Sequence, residues 1–415
     1  MQKKDIKKAC LSSILLFSLI AGILQTDVVL GNPIWDYSTP RPLMIYIRQD
    51  GTIDPPTVSI QQNGTTYTFT DNILNASLII ETDNIEIDGA GYLLQGTGPS
   101  FDPLNEFNGI LLTNRKNVTI KNTIIKEYDL GIKIESSSQI DIIENQIFEK
   151  IYLYNSSSNC QIIKNNLSIV EVYSSLNTIA KNNFTLPHCS LSIQGNNSVV
   201  SENFFYQGYI MVGPNSHYNS VSKNNLTKKD GPGILLGWAS SNNEVFENEV
   251  SFKEIGLEII SSFENIIFNN TVSNSHFGIK LSDSDSSFGF FNTIDNLIYC
   301  NNFLENFNDV HIQSYFVDSE VGFNVWDNGE EGNYYGNYNG TDANGDGFID
   351  IPYVINVNNQ DRFPLMLPFG TNDYTNEYLQ PESFPTTLAV VSIVVIIIIG
   401  LSILVYSKKF RRNKL

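Results

Sequence analysis

The residues best suited to chemistry lie late in the chain, where Asp342-Ala-Asn344-Gly-Asp346-Gly-Phe348-Ile-Asp350 sets oxygen donors at alternate positions. Asp342, Asn344, Asp346 and Asp350 match positions 1, 3, 5 and 9 of an EF-hand-like calcium loop, with the Phe348 carbonyl at 7 and Gly347 turning the chain at 6. Position 12 is Tyr353 where such loops carry a bidentate Glu, so another carboxylate, such as Asp361, has to complete the shell. The same residues also suit an acidic turn held by its own side-chain-to-backbone hydrogen bonds. As a calcium site, the segment is expected to be stiffened by Ca2+, because its three carboxylates repel one another without a cation.

A second constellation comes from aligning the chain on Gly233, Gly256 and Gly278, which puts Trp238, Ser261 and Asp283 at one offset. Asp283 stands in the insertion Ser282-Asp-Ser-Asp-Ser-Ser-Phe-Gly-Phe-Phe291, which also carries Asp285. An aromatic ring beside carboxylate acceptors is a way to hold a polar, C–H-rich sugar, so Trp238, Asp283 and Asp285 form a candidate ligand site. The alternative is that Trp238 packs under the loop and the acids solvate it. No catalytic residue is assigned. Sugar cleavage needs a close carboxylate pair or a base beside a metal-bound uronate. Between Ile79 and Val310, Arg115 is the one arginine and no Gly-His-Gly or Arg-x-Lys run occurs. Asp83, Asp88, Glu135 and Glu258 read as solvated strand and turn acids.

The elements that must position these residues are repeats. From about Ile79 to Val310 one phrase recurs: a Gly or small residue, alternating apolar residues, a polar turn, a second short apolar stretch, then Asn. The Asn positions are Asn122, Asn145, Asn165, Asn182, Asn203, Asn224, Asn248, Asn270 and Asn301. Alternation such as Ile132 and Ile134 around Lys133 has period two, hence strand. A period near 20 with strands too short to bury a face alone predicts a parallel β-helix, each coil covered by its neighbours. The Asn at one fixed corner is expected to adopt the left-handed backbone of a sharp bend and to hydrogen-bond from coil to coil. Residues 32–78 are expected to cap the repeats of 79–319, and residues 320–370 to close the other end with the calcium-type loop.

The two ends place the chain. Lys3, Lys4, Lys7 and Lys8 before the apolar run Leu11–Leu24 read as a secretory signal over 1–31. Thr387–Tyr406 is uncharged and about the ~20 residues needed to cross a bilayer, and Lys408, Lys409, Arg411, Arg412 and Lys414 follow it. These signals predict a stalk over 371–386, one transmembrane helix over 387–406 and a basic cytoplasmic tail over 407–415, with everything upstream outside the cell. Without the basic ends the exterior part keeps 16 Lys+Arg against more than 40 Asp+Glu. A surface that acidic disfavours nucleic acid and anionic polysaccharide and favours cations or neutral partners, cell-surface glycans among them. Cys160, Cys189 and Cys300 are too few for a disulfide framework and allow one bridge at most. Asn-x-Ser/Thr sequons at Asn63, Asn75, Asn117, Asn155, Asn166, Asn183, Asn196, Asn225, Asn269 and Asn339 suit a glycosylated exterior.

Three phrases carry a family resemblance: Asp83-Asn-Ile-Glu-Ile-Asp-Gly-Ala-Gly91, the Gly-Ile-x-Leu repeats, and Gly332-Asn-Tyr-Tyr-Gly-Asn-Tyr-Asn-Gly-Thr-Asp-Ala-Asn-Gly-Asp-Gly347 with Asp361-Arg-Phe-Pro-Leu365. From about Ile45 to Leu367 the chain resembles the right-handed β-helix proteins of the NosD type and their carbohydrate-binding and sugar-hydrolase relatives, particularly archaeal surface members. The resemblance implies a scaffold shared by polysaccharide lyases, glycosidases, adhesins and a copper-enzyme maturation factor. Copper handling would need soft or imidazole ligands brought together, and His188, His217, His276 and His311 lie in different repeats, with Met211 and the thiols as further donors. The expectation is an all-β surface module for binding or spacing, with a glycan-processing enzyme and a copper-maturation factor as alternatives.

Overall fold

The computed structural model describes residues 40–100, 106–228, 231–286, 289–313 and 322–370, without the side chains of 284–291. The signal, the stalk, the apolar segment Thr387–Tyr406 and the basic tail lie outside the described residues. Among those residues no helix is long and apolar enough to cross a membrane, and the regular structure is β-strand.

The expected solenoid is present. Each coil contributes one strand to each of three parallel sheets of 13, 12 and 12 strands. One coil runs Leu130–Glu135 in the first sheet, Ser138–Ile143 in the second and Gln146–Ile147 in the third. Lys150–Tyr154 then pairs back onto the first. Strands of the first sheet reach six residues, whereas those of the third often have two, so the first sheet offers the long outer face. Alternation sets the inside and the outside: Ile132 and Ile134 are fully buried while Lys133 points outward. Ile110, Ile132, Ile151, Val170, Leu191 and Ile210 stack in register as one column of the core. Each fully buried aliphatic side chain contributes about 1.5–3 kcal/mol of transfer free energy. Gly256 keeps the third-to-first corner tight, since a Cβ there would lie 2.1 Å from Val272 Cγ1.

The corner Asn residues behave as expected in one respect and differently in another. From Asn145 through Asn165, Asn182, Asn203, Asn224, Asn248, Asn270, Asn301 and Asn333, each Oδ1 after the first accepts the backbone N–H of the Asn one coil back. Each Nδ2 up to Asn301 donates to the next Oδ1 at 2.9–3.1 Å. The left-handed residue, however, is the one before each ladder Asn up to Asn301. Glu144, Lys164, Lys181, Glu202, Lys223, Glu247, Asn269 and Cys300 have φ of 53–58°. Asn122 is itself left-handed and outside the ladder, whose place in that coil is taken by Thr123. The Asn is selected for its buried amide and its neighbour takes up the bend.

A second ladder at the first-to-second corner runs through Asn219, Asn243, Asn265 and Asn296, each five residues upstream of a first-ladder Asn, and on to Asn324. Each second-sheet strand of these coils is therefore bracketed by two buried amides. One short strand, Asn359–Asp361, ends both ladders: Asn359 Oδ1 accepts Asn324 N–H at 3.0 Å, and Asp361 Oδ2 accepts Asn333 N–H at 2.7 Å. At the other end, Leu43–Ile47 pairs parallel with Ala76–Ile80, so the stretch expected as a cap already forms the first coil. The antiparallel strands Ile53–Asp54 and Ile60–Asn63 cover the open edges of the first two sheets. Cys160, Cys189 and Cys300 are buried and unbridged.

Two predictions follow from the ladders. Asn224 is 1% exposed, and its Nδ2 serves Val200 O, Ser222 O and Asn248 Oδ1. Asn224→Ala is expected to destabilise by about 2–4 kcal/mol through buried groups left unpaired, against less than about 0.5 kcal/mol for Asn225→Ala on the outer surface; denaturant unfolding compares the two, and equal losses would show the ladder contributes nothing special. Asp361 is fully buried, and burial lifts its carboxyl to about 6 against N–H and O–H donors that pull it down. A carboxyl raised above its unfolded value binds its proton more tightly when folded, so its contribution to stability grows as pH falls from above about 6 toward the ordinary aspartate value of 3.8. The wild-type melting midpoint minus that of Asp361→Asn should therefore rise across that window, and a flat difference would contradict the assignment.

Candidate functional site

Register places Trp238, Ser261 and Asp283 in one stack, as aligned: Trp238 N–H donates to Ile260 O and Ser261 N–H to Ser282 O, one coil apart. Asp283, however, is 1% exposed, and its Oδ1 accepts Thr293 N–H at 2.7 Å. Burial pushes this carboxyl upward. The carboxylate holds down the base of its own insertion. Trp238 is half-buried with a left-handed backbone, and the Asp285 side chain lies outside the described ones.

The acidic loop forms a self-bonded turn. Asp342 Oδ1 accepts Gly345 and Asp346 N–H, and its Oδ2 accepts Gly347 N–H at 2.9 Å. Asn344 bonds Asp346, Asp346 Oδ1 accepts Phe348 N–H, and Asp350 Oδ2 accepts Ala343 N–H. Among the described residues no three His, Cys, Asp or Glu side chains converge on a common point as metal ligands would. Asp361, expected to complete this shell, is instead committed to Asn333, Tyr335 and Phe363.

A different constellation sits on the long outer face of the first sheet. In Lys150-Ile-Tyr152-Leu-Tyr154, Ile151 and Leu153 enter the core, so the two tyrosines point out. Tyr173, just past the next first-sheet strand, joins them. The Tyr152 ring lies 5.6 Å from Tyr154, nearly parallel at 19°, and 5.4 Å from Tyr173 at 55°. Tyr154 and Tyr173 remain 39% and 36% exposed, which leaves ring surface for a ligand. The Tyr152 and Tyr154 rings border an open groove of about 380 Å3, also lined by Lys133, Lys150, Glu106, Glu135 and Glu171, and Tyr173 packs against Tyr152 beside it. Lys133 pairs with Glu106 and Lys150 with Glu171, each at 2.7 Å. With both cations neutralised and Glu135 left over, the groove has no positive surplus for an anionic polymer. Partial burial, with Tyr173 and Glu171 nearby, raises the Tyr152 hydroxyl, so it enters any contact as a neutral donor or acceptor. The signal for this platform was present in the sequence as aromatic residues at outward positions, but their meeting required the register.

Farther along the same face, Glu258 and Lys280 pair at 3.2 Å with side chains only 9% and 13% exposed. Glu258 is thus not a solvated acid. His311 occupies the next strand opposite Lys280, and burial, then Lys280, then His276 lower its affinity for a proton. His276 and His311 both pack on Phe277, with centroids 4.4 Å away. The repeats thus bring these two together, while His188 is exposed and His217 Nδ1 bonds Ser241 Oγ.

Residues 149–303 match the family described as the right-handed beta helix region. No curated protein matches the chain. Similar solved structures include the periplasmic alginate epimerase AlgG, 12% identical over 65% of this chain and 78% of that one, TM-score 0.40. The A-module of the Azotobacter vinelandii mannuronan C-5 epimerase AlgE6 is 13% identical over 63% and 82%, TM-score 0.37. The tailspike of E. coli bacteriophage HK620, solved with a pentasaccharide, is 12% identical over 63% and 55%, TM-score 0.40. Likeness at this level carries nothing about chemistry. Three parallel sheets make the described coils a parallel β-solenoid, and the match over residues 149–303 is consistent with a right-handed parallel β-helix.

Proposed function

We propose that the chain is a membrane-anchored surface module that binds neutral glycans along the long face of its β-helix. The observation that carries this reading is the platform of Tyr152, Tyr154 and Tyr173 beside charge-paired Lys133 and Lys150. Sugar C–H faces pack on exposed rings, and fixed carboxylates and ammonium groups orient the hydroxyls. The acidic surface and paired cations favour a neutral chain over a polyanion. The apolar run Thr387–Tyr406 with its basic flank supports an anchor with the coils outside the cell. The NosD-type phrases support an archaeal surface relative, and the exposed tyrosines favour glycan retention over copper handling.

The test is a glycan array with the full chain in detergent micelles. Tyr152→Ala is expected to weaken every neutral hit by about tenfold, the loss of roughly 1.4 kcal/mol, while Trp238→Ala leaves the hits unchanged. Retained glycans should carry no new chain ends; appearance of new ends would instead support the enzyme alternative. Unaltered binding by Tyr152→Ala would remove the groove from consideration.

Calcium remains a second proposal, supported by the residue types at Asp342, Asn344, Asp346, Phe348 and Asp350 and by their hard oxygens. Binding would exchange the turn's own hydrogen bonds for cation contacts. Millimolar calcium should then raise the melting midpoint and a chelator reverse it, with the response lost in Asp342→Asn combined with Asp346→Asn. A midpoint indifferent to both additions retires the site.

A further inference from the structure

The tyrosine groove has a sequon on its rim. Tyr154 is followed by Asn155-Ser156-Ser157, and Asn155 stands exposed where the chain bends out of the strand Lys150–Tyr154, with φ of 46°. Its Nδ2 donates to Glu135 Oε1 at 2.9 Å, and this bond lies at the surface. Glu135 lines the groove and is the strand partner of Tyr154. On the other side of Tyr154 comes Tyr173, whose N–H donates to Leu153 O. Glu135, Tyr154 and Tyr173 therefore form one row at strand spacing, and a group attached to Asn155 Nδ2 starts at the Glu135 end of it, two steps or roughly 10 Å from Tyr173. Other sequons are aimed elsewhere. Asn117 Nδ2 donates to Asn84 Oδ1 from a second-sheet strand, and Asn225 Nδ2 to Glu249 Oε2 from a third-sheet strand.

N-glycosylation joins Nδ2 to the anomeric carbon of a sugar carried on a lipid phosphate. The C–N bond forms as the C–O bond to phosphate breaks, the lipid phosphate leaves with the electron pair, and Nδ2 gives up one of its two protons. The N–H that remains still serves Glu135, so the bond that aims the free amide also aims an attached glycan. Ser157 of the sequon is fully buried, with its Oγ donating to Tyr154 O at 2.7 Å. Transfer thus precedes the closing of this coil, and the exposed Asn155 lets the closed coil carry the product.

Building on the glycan-binding reading of the groove, we infer that Asn155 carries an N-linked glycan that folds back over Tyr154 and Tyr173, making the chain's own sugar the groove's first occupant. Tethering decides the balance. A sugar on a short linker meets the rings at an effective concentration of about millimolar, so stacking contacts too weak to retain a free oligosaccharide keep the attached one in place. An outside glycan has to displace it.

The test uses the full chain, secreted by cells that attach N-glycans and held in detergent micelles. Peptide mass spectrometry is expected to find Asn155 glycosylated, and an unmodified Asn155 overturns the inference. Nitration by tetranitromethane then reports access to the rings without any outside ligand. Tyr154 and Tyr173 should react several times more slowly in wild type than in Asn155→Gln, while Tyr92, as exposed as Tyr173 but beside the third-sheet strand Leu93–Gln95, reacts alike in both. Equal rates at Tyr154 and Tyr173 in the two proteins overturn the inference, because the glycan then points into solvent. Asn183→Gln, which removes a third-sheet sequon, should leave both rings as slow as in wild type; faster reaction there makes the shielding general and counts against Asn155. On the glycan array Asn155→Gln should bind the neutral hits about tenfold more tightly than wild type, since no tethered sugar competes, and equal affinity rejects the seat. The groove reading fails separately. If the hits of Asn155→Gln weaken on adding Tyr152→Ala while the wild-type rings react freely, the groove stands and the inference falls; if no array glycan binds Asn155→Gln, the groove falls as a site for outside glycans, and ring shielding alone decides the seat of the attached one.

Discussion

The hydrogen bonds of buried asparagine amides are the constraint on which the rest depends. Every coil bends sharply after its second-sheet strand, and the bend puts a non-glycine residue such as Glu202 or Lys223 in the left-handed region. That conformation costs about 1–2 kcal/mol per residue. It also leaves backbone carbonyls and N–H groups pointing into a corner that water does not reach. Asn224 answers with one acceptor and two donors, satisfying Asn203 N–H, Val200 O and Ser222 O at once. A carboxylate has no donors and a hydroxyl only one. Asp361 can stand at the last position because no further coil follows it in the ladder, and accepting is all that is asked of it.

Because the two ladders hold both ends of the second-sheet strands, register is fixed coil by coil. Side chains on the outer face of the first sheet are therefore set in rows at strand spacing. Tyr152 beside Tyr173, and Glu258 beside Lys280 and His311, are consequences of that register. The exposed corner pairs, such as Lys164 with Glu144 and Lys223 with Glu247, follow the same rows but contribute little, since solvent screens them. The buried pair of Glu258 and Lys280 differs. Removal of one partner there would leave a desolvated charge, so the pair specifies its register more than it adds to stability.

The long face is also where the fold can vary without breaking. Its strands have outward positions that touch neither ladder. Just ahead of the strand Asn108–Thr113, Glu106 reaches Lys133 at the edge of the open aromatic groove. The proposed binding face and the folding ladders thus use different residues of the same coil.

The sequence by itself determined the architecture. The period near 20 residues, the alternation around Lys133 and the recurring Asn after each second apolar stretch dictate stacked coils, because each is a local pattern that only a neighbouring coil can bury. The second ladder was legible too, as Asn219 five residues ahead of Asn224 and Asn243 ahead of Asn248. Which residue of the corner takes the left-handed backbone was not, since Asn suits both the bend and the amide ladder and only the hydrogen bonds separate them. The candidate site was read less well. Trp238 and Asp283 share a corner as their spacing indicated, but spacing cannot show that Thr293, ten residues on, returns to bury the carboxylate. Tyr152 and Tyr173 are 21 residues apart along the chain and 5.4 Å apart in space. Their meeting depends on strand register across coils, a property of the stacked chain and not of any local stretch, and for that reason only the tertiary structure decided where the exposed tyrosines gather.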